Sequence, residues 1–235
     1  MFKTLGGLKM KKILLAVILL CASAFAQPSD SDLGYWPRSY FASIGFSVIA
    51  NRGDFFDETL KIKGDDDITE IVNLPQTKVL MSPDYSIGVN IREFSLAATF
   101  QYWSMNVAIN GLPDNITEQK MRFWRLGADF TYNFFYPEFF QVGVGLGYSF
   151  SSLSIKDNAV SAEKGLANSD LMGSAIALVA NVRYYITDFF CLNPSLHIYE
   201  TWYKAVNTKN AGTQDLKSYI WQTYVAISIS AMVQF

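Results

Sequence analysis

The sequence predicts an all-β protein: an eight-stranded antiparallel up-and-down transmembrane β-barrel with short turns at one end and long loops at the other. Three observations carry this. Eight segments alternate apolar and polar residues with period two, their connections alternate short and long, and the aromatics gather in two bands at the segment ends. Period-two alternation means a strand with unlike surroundings on its two faces. A soluble sheet rarely needs the span over which the last segment alternates, residues 219–235. A tilted strand crosses a bilayer in roughly 9–11 residues.

The first segment covers about residues 40–51, with Tyr40, Ile44, Phe46 and Val48 on one face and Ser43, Gly45, Ser47 and Asn51 on the other. The second, 78–91, sets Met81, Tyr85, Ile87 and Val89 against Ser86, Gly88 and Asn90. The third, 94–107, sets Phe94, Leu96, Phe100 and Tyr102 against Ser95, Thr99 and Gln101. The fourth, 121–134, sets Trp124, Leu126, Phe130, Tyr132 and Phe134 against Arg125, Gly127, Asp129, Thr131 and Asn133. The fifth, 139–155, sets Phe140, Val144, Leu146, Tyr148 and Phe150 against Gln141, Gly143, Gly145, Gly147 and Ser149. The sixth, 171–186, sets Ile176, Leu178, Val182 and Tyr184 against Ala177, Asn181 and Arg183. The seventh, 189–203, sets Leu192, Pro194, Leu196 and Ile198 against Asn193, Ser195 and His197. The eighth sets Tyr219, Trp221, Val225, Ile227, Ile229, Val233 and Phe235 against Gln222, Tyr224, Ser228, Ser230 and Gln234.

Short connections fall at 92–93, 135–138 and 187–188, and long polar ones at 52–77, 108–120, 156–170 and 204–217. An even strand count puts both termini on the short-turn, periplasmic side. The first long loop contains a small hairpin, 59–63 with 68–72, whose arms are too short to span and are expected to project above the membrane. Phe94, Phe134, Phe135, Tyr136, Phe139, Phe140, Phe189, Phe190 and Phe235 mark the short-turn edge. Tyr102, Trp103, Phe123, Trp124, Phe150, Trp202, Tyr203 and Trp221 mark the long-loop edge. Two aromatic girdles follow from a barrel with two interfaces and have no cause in a soluble sandwich. Closure leaves no unpaired edge in lipid.

Lys9, Lys11 and Lys12 precede an apolar run, 13–20, and Ala24-Phe25-Ala26 precedes Gln27. This reads as a secretory signal peptide cut after Ala26, with Met10 an alternative start. Cys21 invites a lipoprotein reading, but Leu20 stands where a small residue is needed. The organisation is therefore 1–26 signal peptide, 27–39 periplasmic lead and 40–235 barrel. Residues 1–26 hold four lysines and no acid, so 19 basic residues fall to 15 against 21 acidic ones, a mature charge of about −6. That excludes the basic stripe of a nucleic-acid binder. Cys191 is left alone, so no internal disulfide forms, and it reads as a space filler.

An eight-stranded barrel is just wide enough for side chains to fill it. The inward candidates are Gln101, Arg125, Asp129, Arg183, Tyr185, His197, Gln222 and Tyr224. A buried guanidinium needs a partner, so Asp129 is expected to pair with Arg183 or Arg125, and Arg125, Asp129, Arg183 and His197 form an interior polar cluster. A polar plug is favoured over a gated channel, although small inward residues on the first, fifth and eighth strands leave room for water. Ser195 and His197 share the inward face, no group is evident to orient the imidazole, and Glu200 points outward, so catalysis is not expected. Asp54, Asp57, Glu58, Asp65, Asp66, Asp67 and Glu70 make the first loop acidic, without the ligand order of a calcium loop, and read as a solvated tip. Asn115-Ile116-Thr117 matches a glycosylation pattern that a bacterial chain does not use.

The alternating last strand, Tyr219, Trp221, Val233 and the terminal Phe235, resembles the C-terminal assembly signature of bacterial outer-membrane barrels. Residues 40–235 resemble the small-barrel superfamily that includes the OmpA transmembrane domain, OmpX and OmpW. The resemblance implies a bacterial outer-membrane location in contact with lipid and lipopolysaccharide, and insertion by the outer-membrane assembly machinery. It implies no cofactor, and extracellular ligands, if any, met through the long loops. The chain stops at Phe235, so no cell-wall-binding domain is expected. The expected role is structural, envelope integrity or surface interaction. The alternative is a narrow channel for small or hydrophobic solutes, as in OmpW, and the lesser one a lipid-modifying enzyme using Ser195 and His197. Fold does not choose among these.

Overall fold

The computed structural model describes residues 38–55, 59–63, 69–74, 79–107, 119–136, 138–161 and 165–235. The signal peptide with Cys21, residues 27–37 of the lead, most of the acidic tip and Asn115 lie outside them, while the last two lead residues, Arg38 and Ser39, already belong to the first strand and pair with Ile91 and Asn90. The described residues form ten strands: β1 (Arg38–Gly53), β2 (Thr59–Lys63), β3 (Thr69–Asn73), β4 (Val79–Ile91), β5 (Phe94–Val107), β6 (Gln119–Phe134), β7 (Phe140–Ser161), β8 (Gly165–Thr187), β9 (Phe190–Thr208) and β10 (Gly212–Gln234). Eight close into a ring in the order β7-β6-β5-β4-β1-β10-β9-β8, with β7 paired to β8, and every pairing is antiparallel. The closing seam is β1 on β10, from Phe41↔Gln234 to Gly53↔Gln222. Phe235 completes it, exchanging two 2.8 Å backbone hydrogen bonds with Tyr40 while its ring stacks on that of Tyr40.

The outward face is what a lipid-spanning wall requires. Leu146 on β7, Ile227 on β10 and Leu178 on β8 are 64%, 64% and 60% exposed, with apolar neighbours all round the ring. Water would not tolerate a continuous apolar belt of this extent, and hydrocarbon demands it. Phe94, Phe134, Phe135, Phe139 and Phe189 are exposed at the short-turn edge, and Tyr102, Trp124, Phe150 and Trp221 at the other.

Trp103, Phe123 and Tyr203 depart from the expected outer girdle. They are 4%, 1% and 0% exposed and point into the barrel. Each is the sequence neighbour of an outward-facing residue (Tyr102, Trp124 and Trp202), and neighbours on a strand occupy opposite faces.

The long polar loops expected at 156–170 and 204–217 are also corrected, because both are largely strand. β7, β8 and β10 run 22, 23 and 23 residues against 13 for β4, so about ten residues of each stand clear of the membrane. The β6–β7 ladder ends at Met121↔Ile155, which leaves the upper edge of β7 without a neighbour on that side. The hairpin β2–β3 fills it through Glu70↔Ser161, Ile71↔Val160 and Val72↔Ala159. The small hairpin therefore does project above the membrane, as a continuation of the barrel wall rather than as a free arm.

Candidate functional site

Inward side chains form three tiers. The lowest is a hydrogen-bonded polar layer at the periplasmic end. Asn90 donates to Ser39 at 3.1 Å, and its Oδ1 accepts from Ser95 at 2.6 Å and from Arg183 at 2.9 Å. Asn133 donates to Ser95 at 2.7 Å, and Tyr185 donates to Gln234 at 2.9 Å. The Arg183 guanidinium lies 5.2 Å from the Phe41 ring centre. Buried polar groups are held only where partners are found, and short Ser and Asn side chains supply them around the circumference.

The middle tier surrounds a cavity of about 50 Å³, lined among others by Asp84, Asp129, Asn181, Arg183, Ser195 and His197. That is room for a few waters. His197 Nε2 lies 3.0 Å from Asp129 Oδ2. Asp84 accepts from Ser47 at 3.1 Å, and the hydroxyls of Ser195 and Ser228 meet at 2.6 Å. Above the cavity sits Arg125, 1% exposed. It donates to Gln101 at 3.2 Å, and its guanidinium lies 3.7 Å from the Tyr199 ring centre, with Phe123 and Tyr224 at 5.0 and 5.2 Å. Tyr199 also stacks on His197 at 5.4 Å.

The top tier is mainly apolar, with Glu70, Asn73, Asn158, Thr201 and Gln222 buried among its rings and aliphatic side chains. Trp103 stacks on Phe123 at 5.1 Å, Phe55 on Tyr203 at 5.4 Å, and the hydroxyls of Tyr203 and Tyr224 meet at 3.0 Å. Leu153, Ile155, Leu171 and Val206 pack with them, and Ile62, Val72 and Leu74 from the hairpin segment complete the core. The extracellular half of the barrel is thus filled as the interior of a soluble protein is filled.

All four residues of the expected interior cluster, Arg125, Asp129, Arg183 and His197, are buried and face the lumen. Their pairing differs from the expectation. Asp129 bonds neither arginine; it meets His197 across the wall. Arg125 and Asp129 share a face, but four residues of strand separate them by about 13 Å, beyond mutual reach. Each arginine instead donates to one amide and lies against rings, while Arg125 Nε and Nη2 and Arg183 Nε find no hydrogen-bond partner among the described residues. Asp129 is also the orienting acid for His197 that the sequence did not reveal. The available signal was the small inward strip on β7: a Cβ on Gly147 would collide with Asp129 Oδ1, and one on Gly143 with Asn181 Oδ1. Glycine there leaves the space that side chains of β6 and β8 occupy.

Ser195 is bonded to Ser228, and Glu200 points outward, accepting the Thr223 hydroxyl at 3.0 Å. Two members of the acidic loop are tied into the barrel rather than standing free at a tip. Asp54 accepts from the Trp221 backbone N–H at 2.8 Å and ties the end of β1 to β10, while Glu70 is wholly buried. Among the described residues no three His, Cys, Asp or Glu side chains gather as a metal site. Cys191 is a buried free thiol packed between Phe41 and Met232. Tyr219 and Trp221 are exposed on the outer face of β10, and Val233 pairs with Ala42 beside Phe235 at the seam.

A closed ring of eight antiparallel strands, apolar outside and polar inside at membrane height, is a transmembrane barrel. The architecture is that of the small bacterial outer-membrane β-barrels, and the outer membrane is the location it defines. No family model matches the chain, and no curated protein sequence does. Among solved structures it is similar to the outer membrane protein OprG from Pseudomonas aeruginosa, with 13% identity over 86% of this chain and 98% of that one, at a TM-score of 0.50. It is also similar to Neisserial surface protein A, with 14% identity over 83% and 97% at 0.49. A third is Ail, the attachment invasion locus protein of Yersinia pestis, with 8% identity over 85% and 100% at 0.49. At these identities the likeness is one of fold.

Proposed function

We propose that this protein is a non-conducting, non-enzymatic integral barrel whose role is carried by the sheet it raises above the membrane. The observation that supports this most directly is the apolar tier. Phe55, Trp103, Phe123, Tyr203 and Leu171 occupy the lumen between the polar cavity and the extracellular side, each 4% exposed or less. Ions do not cross a packed apolar layer at useful rates, because an unpaired charge there has lost its hydration. Against catalysis stand the inward placement of Ser195 and His197, away from lipid substrates, and the engagement of Ser195 with Ser228. Among the described residues the raised sheet has open edges at β2 and at the upper part of β10, where an extended segment of a partner could add as a further strand. The test is a planar bilayer recording on the refolded chain, with incorporation verified by heat-modifiable gel migration. A silent bilayer is expected; reproducible discrete current steps absent from a refolded control barrel would overturn the reading. The alternative, passage of small solutes, draws support from the polar cavity beneath the cap, and those steps would favour it.

A further inference from the structure

Buried polar atoms without a hydrogen-bond partner are not spread evenly through the lumen. A group of them surrounds Arg125. Its Nη1 donates to Gln101, while its Nε and Nη2 engage no partner. Ser151 stands directly opposite Arg125 in the β6–β7 ladder, and Ser149 is the next inward residue below it on β7. Both carry an unengaged hydroxyl. The guanidinium lies 3.7 and 5.2 Å from the Tyr199 and Tyr224 ring centres. The next inward residues above those rings are Thr201 and Gln222, which pair with each other across β9 and β10. The Thr201 hydroxyl and both ends of the Gln222 amide are again without partners. On β5 the next inward residue above Gln101 is Trp103, whose indole N–H is unengaged too. All six side chains, from Arg125 to Trp103, are 4% exposed or less.

This group is rich in donors and holds a charge without a counter-charge. Guanidinium, indole and amide N–H groups and three hydroxyls are unengaged, and the one atom among them that can only accept is Gln222 Oε1. Among the described residues Arg125 is in no salt bridge. The acids of the lumen are committed elsewhere. Asp129 meets His197, and Asp84, two strands away across Gln101, accepts from Ser47. Glu70 lies opposite Ser161, ten residues of β7 above Ser151, which is roughly 30 Å. Water would satisfy the N–H groups and leave the charge, and a buried guanidinium without a counter-charge is strongly unfavourable. The Tyr199 and Tyr224 rings offset only part of that through cation–π attraction. We infer that this tier binds a small monovalent anion, with chloride the simplest case, held by Arg125 Nε and Nη2 among the surrounding N–H and O–H donors. A halide accepts from mixed donors without directional demands. The packed rings of Trp103, Phe123 and Tyr203 above exclude anything much larger. The anion is enclosed as the barrel folds, so its binding is read as stability. The inference stands on Arg125 and its neighbours, independent of whether the barrel conducts.

The barrel in detergent micelles is unfolded with urea at constant ionic strength while sodium chloride replaces sodium gluconate, whose anion is too large for the site. One anion bound by the folded state alone raises the folding constant about tenfold for each tenfold rise in chloride near saturation. That rise is expected in the wild type and absent from Arg125→Met. The double variant Thr201→Val, Gln222→Leu keeps the charge and removes two donor side chains, so it should need about tenfold more chloride for the same gain. A wild type indifferent to chloride overturns the proposal. An equal response in Arg125→Met does so too, because it would mark a general salt effect. Crystals grown in sodium bromide locate the ion: an anomalous peak within hydrogen-bond reach of Arg125 Nε or Nη2 is expected. Arg125 without such a peak overturns the proposal even where stability follows chloride. If Arg125→Met does not fold, the double variant and the bromide crystals carry the test, and an unchanged chloride response in the double variant then counts against it.

Discussion

The two halves of this barrel are built from the same strands with opposite polarity. At membrane height β7 turns Phe140, Leu146 and Phe150 outward and Gln141, Gly147 and Ser149 inward. A few residues higher the same strand turns Ser154 and Lys156 outward and Leu153 and Ile155 inward. β6 inverts likewise, from Leu126 outside and Asp129 inside to Arg122 outside and Phe123 inside. Each face is matched to the medium it meets. Hydrocarbon outside leaves the inside to hydrogen-bonded polar groups, while water outside makes the inside a place to bury apolar surface. The upper half is in effect a water-soluble β-domain continuous with the membrane barrel.

The sharpest way to break this comparison is to remove the core of the upper half. Phe123→Ala with Tyr224→Ala should cost about 3–5 kcal/mol for the phenylalanine alone, by cavity formation, with the tyrosine adding to it. It should also thin the layer above the lumen cavity, so a channel that is silent in the wild type gains measurable conductance in a planar bilayer. Loss of stability without conductance would mean that the polar tiers below are themselves closed to ions. The complementary change is on the lipid face. Leu178→Arg at 60% exposure should cost about 2–4 kcal/mol in a lipid bilayer, read from urea-induced unfolding in vesicles. An arginine at the outward but water-facing position 154 should cost under ~0.5 kcal/mol. Equal costs at the two positions would deny the change of medium along the strand.

The membrane half was legible in the sequence because its period is regular and its outside is continuously apolar; strand faces and short turns follow from that. The upper half was not, for the same physical reason that makes it instructive. Where the medium changes, the alternation continues but its phase slips by one. The slip shows as adjacent aromatics, Tyr102-Trp103, Phe123-Trp124 and Trp202-Tyr203, which straddle the wall rather than thicken a girdle. Read as one band, they hide the core, and the polar outward residues beyond them read as loop. The interior pairing was illegible for another reason. Asp129 meets His197 from three strands away, and pairing at that range depends on barrel curvature and on the small residues between, not on spacing within one strand.

That dependence is itself testable at a smaller scale. Gly147→Val puts branched carbon where Asp129 Oδ1 lies and should cost about 1–3 kcal/mol through overpacking and loss of the Asp129–His197 contact. Asp129→Asn in the same background should then add little, because the two changes act on one contact, whereas alone it should weaken the barrel measurably. Fully additive costs would show that the glycine serves backbone packing only.

The smallest effect lies at the periplasmic turns, where the comparison of halves makes no demand. The two-residue connection between β4 and β5 holds Arg92 at φ 54°, and the turn after β6 holds Phe135 at φ 64°. Side chains with a Cβ resist this left-handed region, and asparagine accepts it best among non-glycine residues. Arg92 is exposed, so no packing offsets the strain. Arg92→Asn should therefore stabilise the barrel by up to about 1 kcal/mol, seen as a small rise in the urea midpoint with unchanged slope. Destabilisation instead would assign the guanidinium a partner at the membrane surface, such as lipid phosphate on the periplasmic leaflet, that outweighs the backbone cost.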